Sequence, residues 1–177
     1  NLFRSTQYHN TVMIDARQQN GFDERALFAL KNDSDARCLD WRVNDEEAVW
    51  SGECFPRVAD KDAVIHRRTV RFDKKKVVWK IIDEFYPCVG IPAGAQSRKH
   101  SFDWYFHFTL SGELRQESGN SFCLHAGKTA LRLIFPQAPA ERSFMIEEGW
   151  VSPGYGVKCP GPVLKVHCSH TIPWRAE

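Results

Sequence analysis

Strict alternation from His100 to Leu110 is the feature that most constrains what this chain can fold into. Phe102, Trp104, Phe106, Phe108 and Leu110 fall on one side, and Asp103, Tyr105, His107 and Thr109 on the other. Successive side chains of an extended chain point to opposite faces, so large apolar groups in phase at a period of two demand a strand with one buried face. Coiled into a helix, the same residues would be spread around the whole circumference.

The period recurs along the chain. Val64, His66, Arg68, Val70 and Phe72 share a face, with Ile65, Arg67, Thr69 and Arg71 opposite; after Asp73-Lys74-Lys75-Lys76 the chain returns through Val77, Trp79, Ile81, Asp83 and Phe85. A two-residue turn centred on Lys74-Lys75 predicts Phe72 paired with Val77 and His66 opposite Asp83, with Arg68 diagonal to it. The lysines read either as a solvated turn or as a basic patch. Ala36–Val43 and Ala48–Phe55 make a second hairpin around Asn44 to Glu47, and shorter strands are predicted at Leu114–Gln116, Ser121–His125, Thr129–Phe135, Ser143–Ile146 and Val163–Cys168. Pro87–Lys99, Pro136–Ala140 and Trp150–Pro162 are rich in Pro, Gly or Ala and read as loops. With no convincing amphipathic helix, the expected class is all-β: a multi-stranded antiparallel β-sandwich, residues 1–177 forming one domain.

A chain of 177 residues can bury a sizeable core, and its net charge of +2 provides no strong field for nucleic acid or membrane. No apolar run approaches the roughly 20 residues that span a bilayer. Six cysteines stand at wide spacings without a C-x-x-C pair, which argues against a zinc ribbon or a thioredoxin-type motif. Cys38 and Cys123 lie in apolar strand patterns and read as buried thiols. The chain opens at Asn1 inside what reads as a motif, so a piece of a longer protein is expected.

That opening joins Arg4-Ser5-Thr6 and His9-Asn10-Thr11 to an apolar run, Val12-Met13-Ile14, before Asp15. Read as one strand, it puts His9, Thr11 and Met13 on one face and Asn10, Val12 and Ile14 on the other. An imidazole beside an amide, with a guanidinium five residues upstream, suits binding an anion or moving a proton near neutral pH; a capped strand start with a hydrogen-bonded His is the plainer reading.

This Arg-Ser-Thr-x-x-His-Asn-Thr-Val segment resembles the start of the β-rich C-terminal domain of heparinase II/III-like proteins, a group of polysaccharide lyases and relatives. The likeness continues in His66-Arg67-Arg68, Phe106-His107-Phe108 and Gly149-Trp150-Val151-Ser152-Pro153-Gly154-Tyr155-Gly156, in order over nearly the whole chain. The resemblance implies a β-sandwich that follows a helical toroid, here absent, in a bacterial, periplasmic or secreted lyase. It also implies β-elimination on a uronic-acid-containing, acidic polysaccharide: a base takes the proton at C5 and an acid protonates the leaving O4. By motif match, His9 is the β-domain histidine that closes a cleft completed by the helical domain. Arg4 either binds a carboxylate or sulfate or holds the strand start, Asn10 of the same motif either binds substrate or stabilises the loop, and Tyr155 either stacks on a sugar or anchors its loop. Metal-containing relatives carry a second His two residues after the motif His, where this chain has Thr11. No metal or other cofactor is expected; His66, Asp83 and an arginine read as a satisfied network rather than a surviving metal site. His107 lies in a resembling segment without an evident role, and His100, His125, His167 and His170 show no constellation.

Two functional classes remain open on sequence. One is the C-terminal domain of a lyase, inactive alone and partnered by the helical domain of the same chain and an acidic polysaccharide. The other is a non-catalytic carbohydrate-binding or structural β-sandwich.

Overall fold

The computed structural model describes residues 2–26, 29–57, 62–88, 98–108, 112–136 and 141–177. Parts of the predicted loops at Pro87–Lys99 and Pro136–Ala140 lie outside the described residues. Among those described, short 3-10 turns at Leu2–Arg4 and Thr6–Tyr8 precede twelve strands: β1 (Val12–Ile14), β2 (Ser34–Val43), β3 (Glu47–Pro56), β4 (Val64–Asp73), β5 (Val78–Pro87), β6 (Lys99–His107), β7 (Gly112–Ser118), β8 (Ser121–Ala126), β9 (Thr129–Ile134), β10 (Arg142–Val151), β11 (Cys159–Thr171) and β12 (Trp174–Ala176). The chain is all-β, in antiparallel sheets. It packs as two compact units, one of residues 1–18 and 101–169, the other of 19–100 and 170–177.

The first unit holds a four-stranded sheet ordered β1-β6-β11-β10 and a three-stranded sheet β7-β8-β9. The alternation in β6 decides how they pack. Phe106 of β6 and Phe144 of β10 meet Phe122 of β8 and Phe135 in a cluster of rings with centroids 5.2–6.0 Å apart. Phe102, Phe122 and Leu164 are fully buried. The opposite face of β6 carries Asp103, Tyr105 and His107, with Met13, Tyr105 and Val163 forming a smaller buried cluster.

The second unit is one five-stranded sheet, β12-β5-β4-β3-β2. On one face the aligned residues Arg37, Glu53, Arg67, Glu84 and Arg175 run across all its strands in alternating sign. The buried Glu53 accepts hydrogen bonds from Arg37 at 2.8 Å and from Arg67 at 2.9 Å. The other face carries Gly52, Arg68, Asp83 and Ala176 in register. Asp83 accepts from His66 Nε2 at 2.6 Å and from Arg68 at 2.7 and 2.8 Å, while His66 stacks on Phe85, which stacks on Trp174.

The predicted network is therefore present, but the predicted register is corrected by two residues. Asp73 pairs with Val78, Phe72 with Trp79 and Arg68 with Asp83, so Arg68 is the direct partner and His66 the diagonal one. The loop has four residues, 74–77, because Asp73 Oδ1 accepts the backbone N–H groups of Lys75 and Lys76 and Val77 adopts a left-handed conformation at φ 55°. A two-residue slip preserves facing, which is why the sidedness survives the wrong turn.

At the hairpin ends of this sheet Trp41 (70% exposed) and Trp79 (61%) stand in solvent, the latter stacked on Phe72. β2 is an edge strand whose pairing with β3 shifts between Cys38 and Asp40. Cys38 is exposed, against expectation, as is the whole of this edge strand from Ala36 to Val43, whereas Cys123 is buried. Several strands outrun their predicted lengths, and two of them enter the predicted Gly/Pro loop: β10 continues to Val151 and β11 starts at Cys159. Gly149 sits opposite Gly161 there, and a Cβ on Gly149 would come within 2.4 Å of Val163.

Burial alone would raise the Asp83 pKa, but the hydrogen bonds from His66 and Arg68 and the Arg68 charge outweigh it and hold the carboxyl far below the usual range. A depressed carboxyl contributes stability that is complete above its unfolded pKa of about 3.9 and is lost as pH falls toward the folded value. Asp83→Ala removes the acceptor shared by the buried His66 and the half-buried Arg68 and is expected to cost about 3–5 kcal/mol at neutral pH. Urea unfolding across pH should show that loss, with a shallower acid decline than the parent's.

Candidate functional site

The predicted strand through His9 is shorter than expected. Backbone bonds from Tyr8 to Ser5 and from His9 to Thr6 coil residues 5–9, and Thr11 N–H turns back onto the His9 carbonyl. The extended run begins only at Val12. Facing by alternation therefore does not apply to His9, Asn10 or Thr11. His9 and Asn10 are exposed, and Arg4 and Tyr8 are half-buried.

Three anchors fix this segment. First, Gln18 reaches back: its Oε1 accepts from Thr6 N–H at 2.7 Å and its Nε2 donates to Ser5 Oγ at 3.1 Å. The chain gets there through a tight turn after β1, with positive φ at both Asp15 and Ala16 and an Ile14–Arg17 bridge. Second, His107 donates its backbone N–H to Asn10 Oδ1 at 2.7 Å and its Nε2–H to the Gln7 carbonyl at 2.8 Å, with its ring stacked on Tyr8 at 6.0 Å. Third, Tyr105 N–H bonds the Thr11 carbonyl at 3.2 Å. Ser5 and Thr6 are buried as a result, and His9 is held at the crest of a braced segment.

Tyr155 occupies the loop between β10 and β11 and is 97% exposed. The loop is shaped by Ser152 Oγ donating to the Gly154 carbonyl, by Val157 N–H bonding the same carbonyl and by Gly156 at φ 74°. Lys158 Nζ lies 3.9 Å over the Trp150 ring at its base. Phe108 N–H meets the Pro162 carbonyl, so the end of β6 that carries the His9 segment is also the end from which this loop leaves. Topology thus brings Arg4, His9, Asn10 and Tyr155 to one end of one sheet.

The polar face of that sheet holds a group that sequence reasoning missed. Asp103 takes His167 Nδ1 at 3.0 Å and Lys165 Nζ at 3.3 Å, so His167 does have a constellation. Burial raises the Tyr105 pKa. Gln18 was also missed, because nothing in a glutamine thirteen positions away marks it as a brace.

Among the described residues no group of three or more His, Cys, Asp or Glu is placed to hold a metal ion. The residues do not fit one at His66 and Asp83, where Arg68 hydrogen-bonds both carboxylate oxygens.

The heparinase II/III-like C-terminal family model matches residues 1–169. The chain belongs to that family. Its fold is similar to that of a heparan sulfate lyase, HepC, from Pedobacter heparinus (TM-score 0.70, 17% identity), covering 99% of this chain and 24% of that one. It is also similar to a heparinase III, the BT4657 gene product (TM-score 0.58, 18% identity, 96% of this chain and 25% of that one). The chain thus spans about a quarter of the length of the structures it matches. No significant match to a curated protein sequence is found.

The bracing is testable. Gln18→Ala removes two hydrogen bonds that hold Ser5 and Thr6 and is expected to cost about 1–2 kcal/mol. The Thr6 amide should exchange faster while β6 stays protected.

Proposed function

We propose that this chain is the β-domain of a polysaccharide lyase that cleaves uronic-acid-containing polysaccharide by β-elimination, with His9 as its contribution to the acid–base chemistry. The observation that carries the reading is an exposed imidazole on a backbone anchored from both sides, within a family match that spans nearly the whole chain. Burial would deny a polysaccharide access, and a floppy segment would give up the positional advantage that makes acid–base catalysis effective.

The chemistry sets the division of labour. The C5 proton becomes acidic enough to remove only when the adjacent carboxylate is neutralised by a donor or a positive charge. Arg4 is the cationic candidate in the motif, through bidentate binding. Asn10, whose side-chain oxygen takes the His107 N–H, belongs to the same braced segment beside His9. Tyr155, held out between two glycines, offers a ring for a pyranose to stack on. The remaining acid–base and carboxylate-neutralising groups come from a helical domain of the same longer protein, the substrate is an acidic polysaccharide, and the setting is periplasmic or secreted. No step calls for a metal or other cofactor.

In the intact protein, His9→Ala is expected to lower turnover about 10²–10⁴-fold, the range for a positioned acid–base group, with little change in folding. The unsaturated uronate product absorbs in the ultraviolet and provides the assay. The present chain alone should give no such absorbance above its own His9→Ala control. Normal turnover by the intact His9→Ala protein would sink the lyase role of His9 and favour a carbohydrate-binding domain.

A further inference from the structure

We infer that His107 is a positioning residue for His9, acting through the backbone of residues 7–10 without touching substrate itself; this rests on the lyase reading above. Three separate attachments converge on it. Its ring donates to the Gln7 carbonyl, the ring plane lies 26° from that of Tyr8, and its own backbone N–H is taken by Asn10. The residues held are the two that precede His9 and the one that follows it.

The geometry also selects the imidazole. A carbonyl only accepts, so the proton sits on Nε2. Nδ1 is buried, with no hydrogen-bond partner among the described residues. It lies near Gly149 of β10, where an added Cβ would stand 3.8 Å from it. Tyr105 flanks the ring at 6.5 Å. The side chain is thus wedged with one donor directed at the segment it carries, as a strut requires. A residue that only filled space would not need the Nε2 proton.

The test uses the intact protein containing this chain, with His107→Phe, His107→Gln, His9→Ala and the His9→Ala/His107→Phe pair. Phe keeps the ring and loses the donor; Gln puts an amide N–H close to the Nε2 position. His107→Phe is expected to lower kcat about 10²-fold, the scale of an ångström's misplacement, with KM near the parent's. His107→Gln should recover most of that loss, and adding His107→Phe to His9→Ala should lower kcat no further. Amide exchange at residues 7–11 should quicken in His107→Phe while β6 stays protected. Additive losses in the pair, an effect on KM alone, or unchanged exchange at residues 7–11 would each overturn the inference. If His9→Ala retains normal turnover, the acid–base role of His9 fails, yet the exchange measurement still decides whether His107 braces the segment. Thermal unfolding checks each variant; should His107→Phe not fold, His107→Met, similar in shape to Gln but without a donor, takes its place.

Discussion

A buried carboxylate, Asp83, fixes the five-stranded sheet. It is almost entirely out of water and satisfied by Arg68 directly across the strand pair and His66 diagonally. An unpaired charge in that position would be prohibitive, so β4 and β5 can meet in only one way. The opposite face imposes the same choice independently, since the row from Arg37 to Arg175 alternates in sign. A slip of one residue would turn Asp83 out of its pocket and break every step of that row. Register here is set by charge, with apolar burial at Phe85 and Trp174 filling in around it.

Legibility followed the range of the forces involved. Alternation is a local signal and revealed most strands and the partners of Asp83, but not that β6 is buried on both faces from Phe102 to Tyr105. The Lys74–Val77 loop was misjudged because its length depends on Asp73 capping two backbone amides and on a β-branched residue tolerating positive φ, neither of which the pattern displays. β10 and β11 were cut short because Pro160, Gly161 and Pro162 read as loop. In the sheet, Gly161 faces Gly149, and the Pro162 carbonyl still takes the Phe108 N–H.

The candidate site illustrates the same division. The motif around His9 could be found by eye, and so could His107 as part of a resembling segment. What could not be seen was that residues 5–9 coil on themselves, so that strand facing says nothing about His9. The braces come from positions 18, 105 and 107, and their relation to residues 5–11 exists only after the sheet has formed. Reactivity in this segment would therefore depend on folding at a distance: the imidazole is supplied locally, and its placement is not.

The irregularity in β2 also matters for how the molecule behaves among its own copies. A long outer strand with free backbone groups is a template for another chain. Here the pairing jumps between Cys38 and Asp40, and Asp35, Arg37, Asp40 and Arg42 punctuate the strand with charge. Such an edge is kinked and electrostatically selective, a poor surface for stacking identical strands into a fibre. The sheet can thus display Trp41 to solvent without offering beside it the straight, uncharged margin along which molecules would polymerise.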